Sequence, residues 1–194
     1  MPDTAALQLL LSRHSLGLKH LDEPAPSAEE LALMVQAALR APDHGGLVPY
    51  RFSVVAGPAR AALADLFEQV ARETGKPAET LAIERERALR APMSVAVIAR
   101  IDQGHPLAPV HEQWIAVGGA LSNFLSAAHG LGYAGKILSG NKVRAPAIVN
   151  AFCAPGETLV GWIGLGTPRR PPALKHDKPA PTTLLGWWPG TATP

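Results

Sequence analysis

Apolar positions recur at helical spacing in some stretches of this chain and run nearly unbroken in others, and together they predict alternating helices and strands. Leu7, Leu10 and Leu11 share one face of a short helix over residues 4–11. Ser27 and Glu30 have capping-box spacing, and Leu31, Met34, Val35, Ala38 and Leu39 continue a helix over residues 28–40. Pro42 biases Ala41 away from helical geometry, so the helix is expected to stop there with Arg40 in its last turn. Residues 51–56 read as a strand closed by Gly57-Pro58. Leu63, Leu66, Phe67 and Val70 mark an amphipathic helix over 59–74, and a charged helical stretch over 81–90 precedes Pro92.

Residues 93–101 (Met-Ser-Val-Ala-Val-Ile-Ala-Arg-Ile) form a near-continuous apolar run, as expected of a central strand covered on both faces. The longest helix follows over 111–129, with Trp114, Val117, Leu121, Phe124, Leu125 and Ala128 at helical spacing. Gly118-Gly119 within it would let another backbone approach closely. Gly130-Leu131-Gly132 ends that helix; strands are expected over 133–138 and 158–165, with a helix over 147–152 between them. This order predicts an α+β fold in which helices cover an internal sheet.

Residues 168–194 hold seven of the 19 prolines and show no helical pattern. The expected organisation is one domain over 1–168 and an extended arm over 169–194, in which Trp187-Trp188 would lie on another surface. The 194 residues suffice for one substantial core, and 47% hydrophobic residues fit a globular chain. A formal charge of +2 without a Lys/Arg cluster interleaved with aromatics gives no support for nucleic-acid binding. Residues 114–121, the most apolar segment, fall far short of the roughly 20 needed to span a bilayer. No basic segment followed by an apolar core is found near Met1, so a cytoplasmic protein without membrane contact is expected. Cys153, the single cysteine, has no basic neighbour in Ala151-Phe152-Cys153-Ala154-Pro155 and reads as a small buried residue.

Motif absences narrow the chemistry. There is no Gly-x-Gly-x-x-Gly, no Walker-type loop, no His-Glu-x-x-His and no Gly-x-Ser-x-Gly, and His111-Glu112 has Ile115 where a second metal ligand would stand. What remains is a set of phosphate-competent groups. Arg13-His14-Ser15 places a guanidinium, an imidazole and a hydroxyl at a helix end; alone, it also fits a solvated polar turn. Arg40 could equally serve the helix dipole, and His44 stands before Gly45-Gly46 in an open turn. Lys136 lies close to the Ser139-Gly140 turn. Cations without a triad or metal motif point to a bound organic cofactor that carries the chemistry.

Ser12-Arg13-His14-Ser15, Glu23-Pro24-Ala25-Pro26, Arg40-Ala41-Pro42-Asp43-His44 with Pro49-Tyr50-Arg51-Phe52, Arg90-Ala91-Pro92, Ser139-Gly140 and Leu165-Gly166-Thr167-Pro168 together resemble the nitroreductase family, in its small single-domain FMN-dependent branch. The resemblance runs from about Leu7 to Pro168. It implies a mainly antiparallel central sheet and a homodimer with FMN in clefts at the subunit interface. It also implies NADH or NADPH as electron donor and a small-molecule acceptor such as a nitroaromatic or quinone, reduced in a ping-pong cycle with no catalytic side chain. On the matching positions, Arg13, His14 and Ser15 would hold the FMN phosphate and ribityl region. Arg40 and His44 would reach the flavin from the other subunit, and Ile137, Leu138 and Ser139 would run along its ring. Tyr50 stands where relatives often carry Trp, Val48 where Gln or Asn is common, and Ile137-Leu138-Ser139 replaces a Trp-Arg-Ser sequence. Lys136 is then the candidate to replace the missing Arg charge. The alternative is a flavin-binding protein that stores or senses FMN without turnover.

Overall fold

The computed structural model describes residues 4–169 and 178–188. Among these are six helices, α1 (Thr4–Ser12), α2 (Ala28–Ala38), α3 (Ala59–Glu73), α4 (Ala78–Leu89), α5 (Val110–Gly130) and α6 (Pro146–Phe152). Five strands accompany them, β1 (Leu21–Asp22), β2 (Tyr50–Val55), β3 (Met93–Ala99), β4 (Ala134–Leu138) and β5 (Thr158–Pro168). The sheet is antiparallel throughout, in the order β1-β5-β3-β2, with β4 pairing the same long β5. This matches the expected α+β class and antiparallel sheet.

Every residue of β3 is buried, because helices cover both sheet faces. On one face Val95, Val97, Ile163 and Leu165 pack with Met34 of α2 and Phe124 of α5. On the other, Ala96, Ile98 and Trp162 pack with Leu63 and Val70 of α3, Ala88 of α4 and Ile148 of α6. The strand period of two thus divides a continuous apolar run between two cores.

Local chemistry sets the element ends. Ser27 Oγ accepts from the Glu30 backbone N–H at 3.2 Å while Glu30 Oε2 accepts from the Ser27 N–H at 2.8 Å, so the capping box is reciprocal. Helix α2 stops at Ala38, which leaves Arg40 beyond the last turn where the sequence had placed it. Tyr50 is buried and donates from its hydroxyl to the Ala38 carbonyl at 3.0 Å, tying the helix end to β2.

Helix α5 departs from its expected face. Trp114 is 40% exposed, and the neighbouring Gln113 takes the core position. Its amide donates to the Asp102 and Ala108 carbonyls at 2.7 Å and accepts from the Asp102 N–H at 2.8 Å. A glutamine that satisfies a buried loop backbone outcompetes a tryptophan with nothing to bond. The two-residue β1 was not anticipated, being too short for any periodicity; it pairs Leu21 with Pro168. Cys153 is half-buried, and burial together with nearby Glu157 raises its thiol above the ordinary range, in keeping with an inert side chain. Of the expected arm, only residues up to 169 and 178–188 are described; Leu184, Leu185 and Trp188 there are exposed.

Candidate functional site

The register of β4, β5 and β3 builds the floor of a cavity. Lys136 pairs Gly164, which pairs Ser94; two residues on, Leu138 pairs Trp162, which pairs Ala96. Because the side-chain period is two, both rows face the same side of the sheet, toward α3 and α4. A cavity of about 1100 Å³ lies over them, with Leu63, Phe67 and Val70 of α3 on its apolar side. The segment 17–19 and the turn after Ser139 complete it. Lys136, Leu138 and Ser139 line this cavity, while Ile137 alternates to the opposite face and packs against the core with α5.

The rim is cationic. Glu84 of α4, only 2% exposed, accepts hydrogen bonds from Lys76, Arg87 and Lys142, all of which border the cavity. Burial by itself would raise the Glu84 carboxyl, but the bonds from Lys142 and Lys76 and the charges of Lys142 and Arg87 outweigh it and hold the group at about 2. A charged helix of ordinary solvated appearance therefore hides a buried ionic hub.

A smaller cavity of about 130 Å³ adjoins the start of β4 and is lined by Arg13, His14 and His129. The Leu16 N–H donates to the Gly135 carbonyl at 3.3 Å and ties the Arg13–Ser15 segment to β4. Ser12 Oγ lies 2.9 Å from His129 Nε2, and His14 Nδ1 lies 3.1 Å from the Ser12 carbonyl. His14 Nε2 is buried with no hydrogen-bond partner among the described residues. Burial lowers the His129 imidazole below its ordinary range, and the charges of Arg13 and His14 lower it further. Sequence reading had not singled out His129, because one histidine at a helix end carries no signal until the fold brings Arg13 beside it.

Arg13 and His14 thus share one cavity, and Lys136, Leu138 and Ser139 share another; Ser15, exposed, lines neither. Arg40 and His44 lie apart from both, on the exposed connection between α2 and β2. His44 Nδ1 is 2.7 Å from Glu112 Oε2 on the first turn of α5. No group of His, Cys, Asp and Glu suited to a metal occurs among the described residues. No helix among them is long and apolar enough to cross a membrane.

A sequence profile described as the Nitroreductase family matches residues 10–167. YdjA of Escherichia coli (strain K12), a candidate NAD(P)H nitroreductase, is 32% identical over 184 residues, covering 94% of this chain and 99% of that one. A nitroreductase-like family protein from Bacillus cereus has a crystal structure that superposes with a TM-score of 0.82 at 21% identity, covering 98% of this chain and 99% of that one. A candidate nitroreductase from Desulfovibrio desulfuricans, crystallised in complex with FMN, superposes with a TM-score of 0.68 at 21% identity over 95% and 98% of the two chains. The chain belongs to the nitroreductase family.

Proposed function

We propose that this protein is an FMN-dependent NAD(P)H oxidoreductase that reduces a nitroaromatic, quinone or similar acceptor, and that it works as a homodimer. The observation that carries the reading is His14 Nε2, buried and unpartnered beside Arg13 at a cavity of about 130 Å³. An anion there would meet the Arg13 guanidinium, and a hydroxyl beside it would donate to His14 Nε2, the ring nitrogen left as acceptor by the bond from Nδ1–H to the Ser12 carbonyl; together these fit a phosphate monoester with a polyol chain. The cavity of about 1100 Å³ nearby has an apolar side and a cationic rim, which fits a planar ring system that gains negative charge on reduction.

In this reading Arg13, His14 and Ser15 hold the phosphate and ribityl chain. The backbone of Ile137, Leu138 and Ser139 borders the ring, and Lys136 supplies charge from the strand position two before Leu138. Arg40 and His44 of a second copy complete the cleft. When bound, FMN supplies two-electron chemistry that takes hydride from NADH or NADPH and delivers it to the acceptor in a ping-pong cycle. The chain's own work is binding, orientation and charge compensation. Neither cavity requires a side chain to serve as acid or base.

Anaerobic titration of the purified yellow protein tests this. Bleaching of the flavin band by NADH or NADPH, with recovery on addition of a nitro compound or quinone, is the expected result. A protein that stays yellow with both nucleotides is a flavin binder without turnover, and the enzyme reading falls.

A further inference from the structure

Seven of the chain's 18 lysines and arginines border the large cavity, and Glu73 is the sole carboxylate among the described residues that line it. For a protein of formal net charge +2, this is a strong local concentration of one sign. Three of the seven are already compensated, since Lys76, Arg87 and Lys142 bond to buried Glu84. A fourth, Arg90, pairs with Glu86 at 3.3 Å. Lys19, Lys136 and Arg144 remain, and their side chains make no hydrogen bond or ion pair with any described residue. They come from three separate segments: the turn before β1, strand β4, and the 3-10 turn Asn141–Arg144. The fold brings them to one cavity.

Lys136 is the one that the reading above gives to the flavin ring, so Lys19 and Arg144 exceed what FMN requires. FMN carries one phosphate, which that reading assigns to Arg13 at the other cavity, and Lys136 meets the charge its ring gains on reduction. The surplus therefore suits a second, more highly charged ligand. NADPH differs from NADH by a 2′-phosphate, which adds about −1.5 to −2 charges near neutral pH. A planar guanidinium matches such a phosphate with two parallel hydrogen bonds, which a lysine cannot do. We propose that Lys19 and Arg144 make this protein select NADPH over NADH, with Arg144 as the residue that grips the 2′-phosphate. The proposal rests on the oxidoreductase reading and deepens it by naming the donor.

Two measurements on the FMN-loaded protein test it. One is kcat/KM for each nucleotide with a fixed acceptor; the other is calorimetric binding of NADP⁺ and NAD⁺, which needs no turnover. NADPH is expected to be favoured at least about tenfold at about 50 mM salt, with the margin shrinking at about 200 mM as the charges are screened. Arg144→Ala is expected to lower the NADPH/NADH ratio about tenfold, mainly through KM for NADPH, and to weaken NADP⁺ binding more than NAD⁺ binding. Arg144→Lys should retain part of the preference. Equal use of the two nucleotides, a preference for NADH, or a ratio unmoved by both Arg144→Ala and the double change Lys19→Ala with Arg144→Ala overturns the proposal and leaves the enzyme reading standing. If neither nucleotide reduces the bound flavin, both fall together.

Discussion

Lys142, in the turn that follows Ser139-Gly140, reaches the buried carboxylate of Glu84 on α4. Lys76 and Arg87 bond to the same group, so one side chain fixes the α3–α4 connection, α4 and the turn after β4 relative to one another. Glu84 is the buried member and its cationic partners keep 22–49% of their side-chain surface exposed, so losing the carboxylate costs about 1–3 kcal/mol and strands no buried charge. Glu84→Gln is therefore expected to lower the unfolding free energy by an amount of that order. A change within about 0.5 kcal/mol, typical of a surface substitution, would refute the role.

The same group makes stability depend on acid. Its folded value of about 2 lies below the ordinary carboxyl value of 4.5, so its contribution is fully present above pH 4.5 and is lost as pH falls toward 2. That difference corresponds to about 3 kcal/mol. Denaturant melts of the wild type should weaken across this window, and those of Glu84→Gln should weaken less. Parallel profiles for the two proteins would show that other carboxylates dominate.

Arg13→Ala is expected to raise the Kd for FMN by several-fold to about a hundredfold, the scale of a lost charge-assisted bond. His14→Ala should also weaken FMN binding while costing the apoprotein little stability, because Nε2 has no partner to lose and the Nδ1 bond to the Ser12 carbonyl is a local, exposed one. Quenching of flavin fluorescence on titration reads both. Full FMN occupancy in Arg13→Ala would remove the phosphate assignment.

Much of this molecule was legible along the chain because its elements carry strong local signals. The Ser27–Glu30 box, the apolar run of β3 and the breaks at Gly57-Pro58 and Gly130-Leu131-Gly132 each mark an element without tertiary information. Where the sequence misled, a long-range contact decided. Gln113 displaced Trp114 from the core because a loop eleven residues away needed its amide. The site was legible only in fragments. Arg13 and Lys136 stand out as cations, but that Lys136, Gly164 and Ser94 form one row under a cavity follows from strand register, which no single strand encodes. The Glu84 hub was hidden because it depends on Lys142, 58 residues further along the chain.

Gly161 tests how tightly that register is held. A Cβ there would sit 2.5 Å from the Leu138 carbonyl oxygen, which is backbone and has no side-chain rotamer to yield. Gly161→Ala should push β4 from β5 at the residue that borders the cavity and destabilise the fold by about 1–3 kcal/mol. FMN retention should fall with it. Thermal melts and the absorbance ratio of the purified protein check both, and an unchanged ratio would mean that the Leu138 backbone does not govern the cofactor.

His129 supplies a prediction of opposite pH sense to an ordinary surface histidine. Its imidazole is depressed by burial beside Arg13 and His14, so the unfolded chain binds the proton more readily. Stability should then fall as pH drops below about 6.5, the ordinary histidine value, toward the folded value. His129→Gln should flatten that part of the profile. A steeper slope in the variant would reverse the assignment.

The homodimer proposal has its own physical handle on α5. Ile115 is 62% exposed and Trp114 40%, and a Cβ on Gly118 would meet nothing within 4 Å. Gly119 does not share that openness, since a Cβ there would lie 3.2 Å from Ala41 of the same chain. The face around Ile115 and Gly118 is thus apolar, and its glycine leaves space for another backbone, which suits a second copy of the same helix. Light scattering is expected to give twice the chain mass of 20.4 kDa. Ile115→Glu would bury a charge without a partner in that interface and should produce monomers that lose FMN, because Arg40 and His44 of the second copy would no longer close the cleft. The exposed Leu184, Leu185 and Trp188 give the arm an apolar surface that suits the partner as well. A chain ending at Pro172 that stays dimeric and yellow would remove the arm's role and leave α5 as the interface. A wild-type protein that is monomeric and fully loaded with FMN would overturn the dimer and the shared cleft together.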